Sequence, residues 1–566
     1  MNLRDKTQKH AVVLGALAIA VMVLVAYWPA VHAGFVWDDN DYVTENPLLT
    51  APDGLYRIWF TTDSPSQYFP LVYTTFRVEH ALWGLNPLGY HVVNILLHCA
   101  NALLLLLLLR RLKIPGAWMA AAIWALHPVN VESVAWITER KNVLSTLFYL
   151  LAVGQWIRFI EVREQDRRTA YALSLICCAL ALFAKTTACT IPGVLLIVLW
   201  IRKQPINPKR LAQVLPFAAA GIAMGLVSIW WEKTKQGTTG HEFIMAPLER
   251  VLVASRALWF YLGKLFWPVD LMFSYPKWHI TAHDMRQYVW VAASLVAVIA
   301  LWRQRRSWGY WPLVAVTFFA AVLSPILGFI PLYTFIYSYV ADHYQYLACV
   351  GPIALFAALL ARLRRPRIVA YVICGIILCM LGALTWRQTC TYQDSGTLWA
   401  DVLAKNPESW AANEGVGMAS AADGDLAVAT AHFKRALELK PDHWQGWLNL
   451  GTMLAAQGQA TEAERSFRSG LRVNPTSGDL QCSLAQVLLA EGKWEEATRI
   501  YEAVLRQYPG FFDPHMILAD VYAAHGRRRE AIKHLEIAVK RMPDLQQARD
   551  KLEILRAEER LGMPSE

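Results

Sequence analysis

Two adjacent carboxylates, Asp38 and Asp39, stand in the stretch Gly34-Phe35-Val36-Trp37-Asp38-Asp39-Asn40-Asp41-Tyr42. They lie just beyond residues 11–30, a run without a formal charge that is long enough to cross a bilayer as a helix. Neighbouring acids repel, so such a pair faces water, a cation or a proton in transit. The chemistry open to it is removal of a proton from a hydroxyl. The plain alternative is a solvated loop rich in Asp and Asn. What separates the two readings is which other groups the chain returns to the same side of the membrane.

Several such groups recur at the ends of later apolar runs. Arg77 follows a Trp/Tyr-rich stretch, and His91, Asn94 and His98 fall on one face of the next span at i, i+3 and i+7. A polar stripe of this kind faces a bundle interior or a water-filled cavity, or makes interhelical hydrogen bonds. The loop from His127 to Asn142 carries Glu132 and the basic pair Arg140-Lys141, helical from Asn130 onward. Lys185 stands alone between two apolar runs, and Asp342-His343 opens a later one. Cations at an outer membrane boundary fit a phosphate at headgroup level, although a lone Lys can also snorkel. A lipid-linked phosphate reacting with a polar acceptor needs this set: cations for the departing phosphate and a carboxylate for the acceptor proton. No Walker loop or Gly-rich nucleotide fingerprint occurs, so a soluble nucleotide-sugar donor is not indicated.

The elements that must position these groups follow from hydropathy. Of 566 residues, 55% are hydrophobic and 17% charged, which marks a polytopic membrane protein. The net charge of +10 reflects Lys and Arg in short loops between apolar runs, a topology signal and not a nucleic-acid one. The nine Cys show no framework spacing and no Cys-x-x-Cys pair, so neither a disulfide scaffold nor a zinc site is expected. Apolar runs lie near 11–31, 91–109, 115–126, 143–160, 169–183, 188–201, 211–231, 288–302, 310–330, 347–361 and 368–386. A further run, 251–266, carries Arg256 and Lys264 and reads as an amphipathic or re-entrant helix. With it outside the count, the positive-inside rule gives eleven spans and a cytoplasmic N-terminus. The C-terminal end then lies outside the cytoplasm.

After Arg387 the pattern changes. Pro441, Pro475, Pro509 and Pro543 recur every 34 residues, in frame with Ala429, Ala463, Ala497 and Ala531 and with Phe433, Phe467, Tyr501 and Leu535. Trp447-x-x-Leu450-Gly451 adds the first-helix signature. This is the tetratricopeptide pattern: small Ala lets paired helices approach, the aromatic fills between repeats, and Pro ends the second helix. Four repeats fit residues 410–545, after a linker at 391–409 and before a capping helix and tail at 546–566. Such solenoids bind peptides or partner proteins in a concave groove.

Taken together, Phe35-Val36-Trp37-Asp38-Asp39, Thr75-Phe76-Arg77, Gly89-Tyr90-His91, Asn94, His98, His127-Pro128-Val129-Asn130-Val131-Glu132-Ser133, Ala184-Lys185-Thr186 and Phe266-Trp267-Pro268-Val269-Asp270-Leu271 resemble the transmembrane and tetratricopeptide-repeat O-mannosyltransferases of the GT-C superfamily. The resemblance implies a polyprenyl-phosphate sugar as donor. It also implies an acidic pair of which one member is the base for a Ser/Thr hydroxyl, or binds a divalent cation (Mg or Mn) in metal-dependent relatives. Asp38 and Asp39 fill those positions, with the base unassigned between them. Arg140, Lys141, Lys185 and Arg77 would meet the donor phosphate, with His91, His127, Glu132, Asp342 and His343 in support. Thr186, Asn142 and Asp342-His343 depart from the family's usual Glu, Asp and Glu-Arg.

The expected fold is therefore all-α: a GT-C-like membrane domain over residues 1–390, then the solenoid. The expected activity is inverting transfer of a sugar, mannose in the family, to a hydroxyl of an exported protein recruited by the repeats, in a bacterial inner membrane. Two rivals remain: a non-enzymatic membrane-anchored scaffold, and an enzyme that glycosylates lipid or polysaccharide.

Overall fold

The computed structural model describes residues 3–162, 164–238, 240–362, 367–509, 511, 513–542 and 545–561. Pro543, the middle of the basic stretch 362–367 and the tail 562–566 lie outside the described residues. The described residues are helical and contain no strand. They form two compact units, Met1–Asn406 and Pro407–Glu566.

In the first unit each of the eleven apolar runs lies on a helix. Among the described residues six helices are long and apolar enough to cross a membrane: Pro87–Arg111, Ile137–Glu161, Gln165–Ala184, Pro208–Thr234, Met285–Gln304 and Tyr371–Tyr392. Val12–Ala26, Thr186–Ile201, Trp311–Ile326 and Val350–Arg362 are shorter. The run expected as the third span is Ala117–Ala125, with nine residues. At about 1.5 Å per residue it covers roughly half of a bilayer core, so by itself it does not reach across. Capping explains several helix starts. Asn86 accepts from Leu88 N (3.2 Å) with Pro87 next, and Asn207 accepts from Arg210 N (3.0 Å) with Pro208 next. Pro247–Phe266 buries Leu252, Val253, Ala257 and Tyr261 on one face and exposes Leu248, Val251 and Phe266. It covers the run at 251–266 expected as an amphipathic or re-entrant helix.

The stretch 391–409, expected as a linker, is mostly structure of the first unit. Ser395–Lys405 is a helix capped by Asp394, which accepts from Thr397 N at 2.7 Å. Its Trp399 is buried against Trp37 and Phe273, and Lys405 Nζ donates to Leu271 O at 2.7 Å. Apolar residues in a helical register, which the sequence reading passed over as spacer, account for this.

In the second unit, helix pairs Trp410–Ala422/Leu426–Leu439, Trp444–Ala456/Ala460–Val473, Gly478–Ala490/Trp494–Gln507 and Asp513–Ala524/Arg528–Arg541 stack ahead of Gln546–Arg560. Ala429, Ala463, Ala497 and Ala531 are fully buried. A Cβ on Gly451 would stand 2.4 Å from the Phe467 ring, so only glycine admits that aromatic. Gly424, Gly458, Gly492 and Gly526, again 34 apart, take positive φ in the turn inside each pair. Phe467→Ala empties the contact inside this helix pair and is expected to cost about 3–5 kcal/mol. Thermal unfolding of the second unit followed by circular dichroism checks this.

Candidate functional site

The acidic pair is held by an aromatic wedge. Trp37 sits at φ 53°, a left-handed conformation costly for a bulky residue. Its N–H donates to Ser395 Oγ (3.2 Å), and its ring packs edge-on against Trp399 (4.8 Å) and Tyr337 (5.8 Å). The turn that follows separates the two carboxylates. Asp39 is fully buried and saturated: Oδ2 accepts from Val36 N (2.8 Å), and Oδ1 accepts from Thr138 N (2.8 Å) and Thr138 Oγ1 (2.6 Å). Burial pushes its carboxyl up to about 6, and those donors hold it from rising further. Asp38 is half-buried, yet its Oδ1 is sealed from water and accepts no hydrogen bond. Burial drives Asp38 up to about 8, against the pull of the Lys141 charge and with the push of Asp39 and Glu139.

Opposite stands a charge cluster organised by Glu139. This carboxylate is fully buried. Oε1 meets Lys141 Nζ at 2.9 Å and His343 Nε2 at 3.8 Å, and Oε2 meets Lys185 Nζ at 3.4 Å and accepts from Asn142 Nδ2 at 2.5 Å. Lys141 Nζ also lies over the Tyr42 and Trp136 rings, each at 5.3 Å. Lys185 turns inward to Glu139. It is nearly buried where the helix Glu164–Ala184 ends, and burial lowers its ammonium to about 8 even with Glu139 beside it. Glu132 fixes His343, accepting from its N–H at 2.8 Å and facing its Nδ1 at 2.9 Å. Asp342, pushed well above the usual carboxylate range by burial and by Glu132, accepts from Tyr275 OH at 3.0 Å.

Other expected site residues are placed elsewhere. Arg140, expected at the donor phosphate, is fully buried and has every side of its guanidinium engaged. It pairs with Glu79, donates to Asn94 Oδ1 (2.5 Å), Tyr90 O (2.9 Å) and Thr75 Oγ1 (3.4 Å), and stacks on Phe76 at 5.2 Å. Arg77, expected beside it, clamps a loop through Leu48 O (2.6 Å) and Ala51 O (2.8 Å). Neither guanidinium points a free donor into the cluster, so the cations left for an anion are Lys141 and Lys185. His91 Nε2 meets Gly34 O at 3.2 Å and steadies the loop of the acidic pair. His127, depressed to about 4 by burial, ties Leu265 O (3.0 Å) to its own turn through Val129 N (3.4 Å). Asn94 and His98 make interhelical bonds, to Trp136 O (3.1 Å) and to Tyr346 OH (2.7 Å) with Ala125 O (3.0 Å).

Glu139, Thr138 and Tyr275 are neighbours of the expected site residues that were not expected there, and Glu79, an acid of the same expected outer loop as Asp38, pairs with Arg140. For Glu139 a signal existed: an acid directly before two bases at a span boundary must be neutralised once buried.

A small cleft of about 30 Å³ runs past Lys185, His343, Asn142 and Ser145. It shares Tyr149 and Leu347 with an apolar cavity of about 710 Å³ among Pro87–Arg111, Arg140–Glu161, Ile191–Ile201, Trp311–Leu323 and Val350–Arg362. A divalent cation fits the pair poorly: Asp39 has both oxygens occupied by donors, and the Asp38 carboxyl is already under the charge of Lys141. Together the groups offer the unsatisfied Asp38 Oδ1, two ammonium groups sharing a carboxylate, and apolar volume adjoining them.

Tetratricopeptide repeat models match residues 392–443, 421–478 and 488–552. Over 196 residues the chain is 32% identical to protein O-mannosyl-transferase Tmtc1 of Drosophila melanogaster, covering 32% of this chain and 22% of that protein. It is 32% identical over 167 residues to protein O-mannosyl-transferase TMTC2 of Homo sapiens (28% and 20%). With TMTC4 of Homo sapiens it shares 28% identity over 208 residues (31% and 28%). The chain is thus a membrane protein with tetratricopeptide repeats whose homologues are named protein O-mannosyl-transferases, and it spans less than a third of the length of these relatives.

Proposed function

Starting from that homology, we propose that the chain is a membrane glycosyltransferase of GT-C type that moves a sugar, mannose by analogy with its homologues, from a polyprenyl phosphate to a Ser/Thr hydroxyl of an exported protein. The observation that carries this reading is the adjacency of three things: the unsatisfied Asp38 Oδ1, the Lys141–Glu139–Lys185 cluster, and an apolar cavity sharing walls with the cleft beside Lys185. A lipid tail takes the cavity, its phosphate takes the ammonium groups, and the sugar faces Asp38. The acceptor oxygen attacks the anomeric carbon from the side opposite the phosphate. Its proton passes to Asp38 Oδ1, the bond from carbon to phosphate oxygen breaks, and the phosphate leaves with the electron pair, neutralised by Lys185 and Lys141. The configuration inverts. Asp39, tied to Thr138, positions its neighbour. In this reading the site and the repeats both face away from the cytoplasm, where the acceptor is found, and the repeats recruit it.

The pH dependence tests this directly. Asp38 accepts a proton only when ionised, above about 8, and Lys185 is a cation only below about 8. kcat/KM for sugar transfer in nanodiscs is therefore expected to form a narrow bell peaking near 8. The two limbs belong to the free enzyme. A bound phosphate raises the Lys185 value, so the bell for kcat extends further to high pH. A rate unchanged from roughly pH 6 to roughly pH 10 would contradict these roles.

A further inference from the structure

The second unit carries a groove of about 450 Å³ across three successive first helices, Trp410–Ala422, Trp444–Ala456 and Gly478–Ala490. Its floor is apolar, from Met418, Ala421, Leu448 and Met453. Asn449, Thr452 and Ser483 supply short polar groups along it. Asp479 is the single charged residue among the described lining. It is exposed on the first turn of its helix and enters no ion pair with the described residues. Asp513 is exposed on the first turn of the next repeat, and the thiol of the lining residue Cys482 is pushed up by burial first and then by the charges of Asp479 and Asp513. Behind Asn449, Glu414 accepts from its Nδ2 at 3.1 Å and faces His443 Nε2 at 2.9 Å. The groove therefore has apolar contacts, a side-chain amide and hydroxyls for an extended backbone, and a negative rim with no Lys or Arg in its lining.

Resting on the proposal that the repeats recruit a protein acceptor, we propose that this groove takes an extended segment of that acceptor in which a Lys or Arg is flanked by small apolar residues. Charge complementarity selects this occupant. A phosphopeptide or an acidic segment would set like charges against Asp479 and Asp513 and be repelled. The apolar floor gives affinity to the flanking side chains, and the acids fix the register of the cation.

Fluorescence anisotropy on the full chain in nanodiscs of neutral lipid tests this, with two labelled Ser/Ala/Leu peptides that differ only in carrying two Lys or two Glu. The Lys peptide is expected to bind at least about tenfold tighter, a preference that added salt weakens. Asp479→Asn with Asp513→Asn should bring the two peptides within about twofold of each other, and Asp479→Lys with Asp513→Lys should invert the order. An inversion of preference cannot come from unfolding. Equal affinity for both peptides, no binding of either, or a preference untouched by the Asp479 and Asp513 variants overturns the proposal. Because no sugar donor is present, loss of discrimination in a chain that still transfers sugar overturns this inference alone. Intact discrimination in a chain that transfers none overturns the activity and leaves the groove.

Discussion

Asp38→Asn is expected to lower kcat for sugar transfer by about 10²- to 10⁴-fold, the usual contribution of a general base, while leaving the protein as stable as before or slightly more so. The free Oδ1 makes no hydrogen bond, so folding loses nothing when an amide replaces it. Burial already disfavours its charge, so the amide is the easier group to bury. Asp39→Asn should fail in the opposite way. Both of its oxygens accept from N–H or O–H groups, and an amide nitrogen put there faces a donor with a donor. One variant loses turnover with its melting temperature intact, and the other loses melting temperature first. Transfer assays paired with thermal unfolding of the two single variants separate them. Full turnover by a folded Asp38→Asn chain would remove the base from the account.

Arg140→Met carries the second large effect, on folding. It leaves Glu79 buried without its cation and withdraws donors from Asn94 Oδ1 and Tyr90 O. Breaking a buried pair from one side costs about 3–5 kcal/mol. Glu79→Leu added to Arg140→Met removes the stranded charge and should restore much of the loss. The measurement is the melting temperature of single and double variants in one detergent. If Arg140→Met melted like the unaltered chain and raised only KM for the lipid phosphate, Arg140 would be the phosphate contact that the sequence suggests.

The difference between what could and could not be read from the sequence is physical. The solenoid was legible because one geometry repeats every 34 residues, so Ala429, Phe433 and their counterparts must recur in frame. Apolar runs located the helices of the first unit for the same reason: helix-length burial leaves a helix-length signal. Their crossing count was less legible, since Ala117–Ala125 is apolar but short. At the site, residue type located the acidic pair and the cations but not their partners. Nothing local tells Arg140 from Lys141. Adjacent on a helix, they point about 100° apart, and one turns into Glu79 while the other turns to Glu139. The division of labour between Asp38 and Asp39 is likewise set by Thr138, about a hundred residues away along the chain.

Photocrosslinking tests the central claim, that lipid cavity, cation pair and base form one site. A polyprenyl phosphate with a photoreactive group at its first isoprene would be bound to the chain in nanodiscs, irradiated and mapped by mass spectrometry. The account predicts adducts on Tyr149, Leu347 and neighbouring cavity residues, lost when Lys185→Met removes the phosphate's ammonium. Adducts confined to other helices, or labelling indifferent to Lys185, would contradict it.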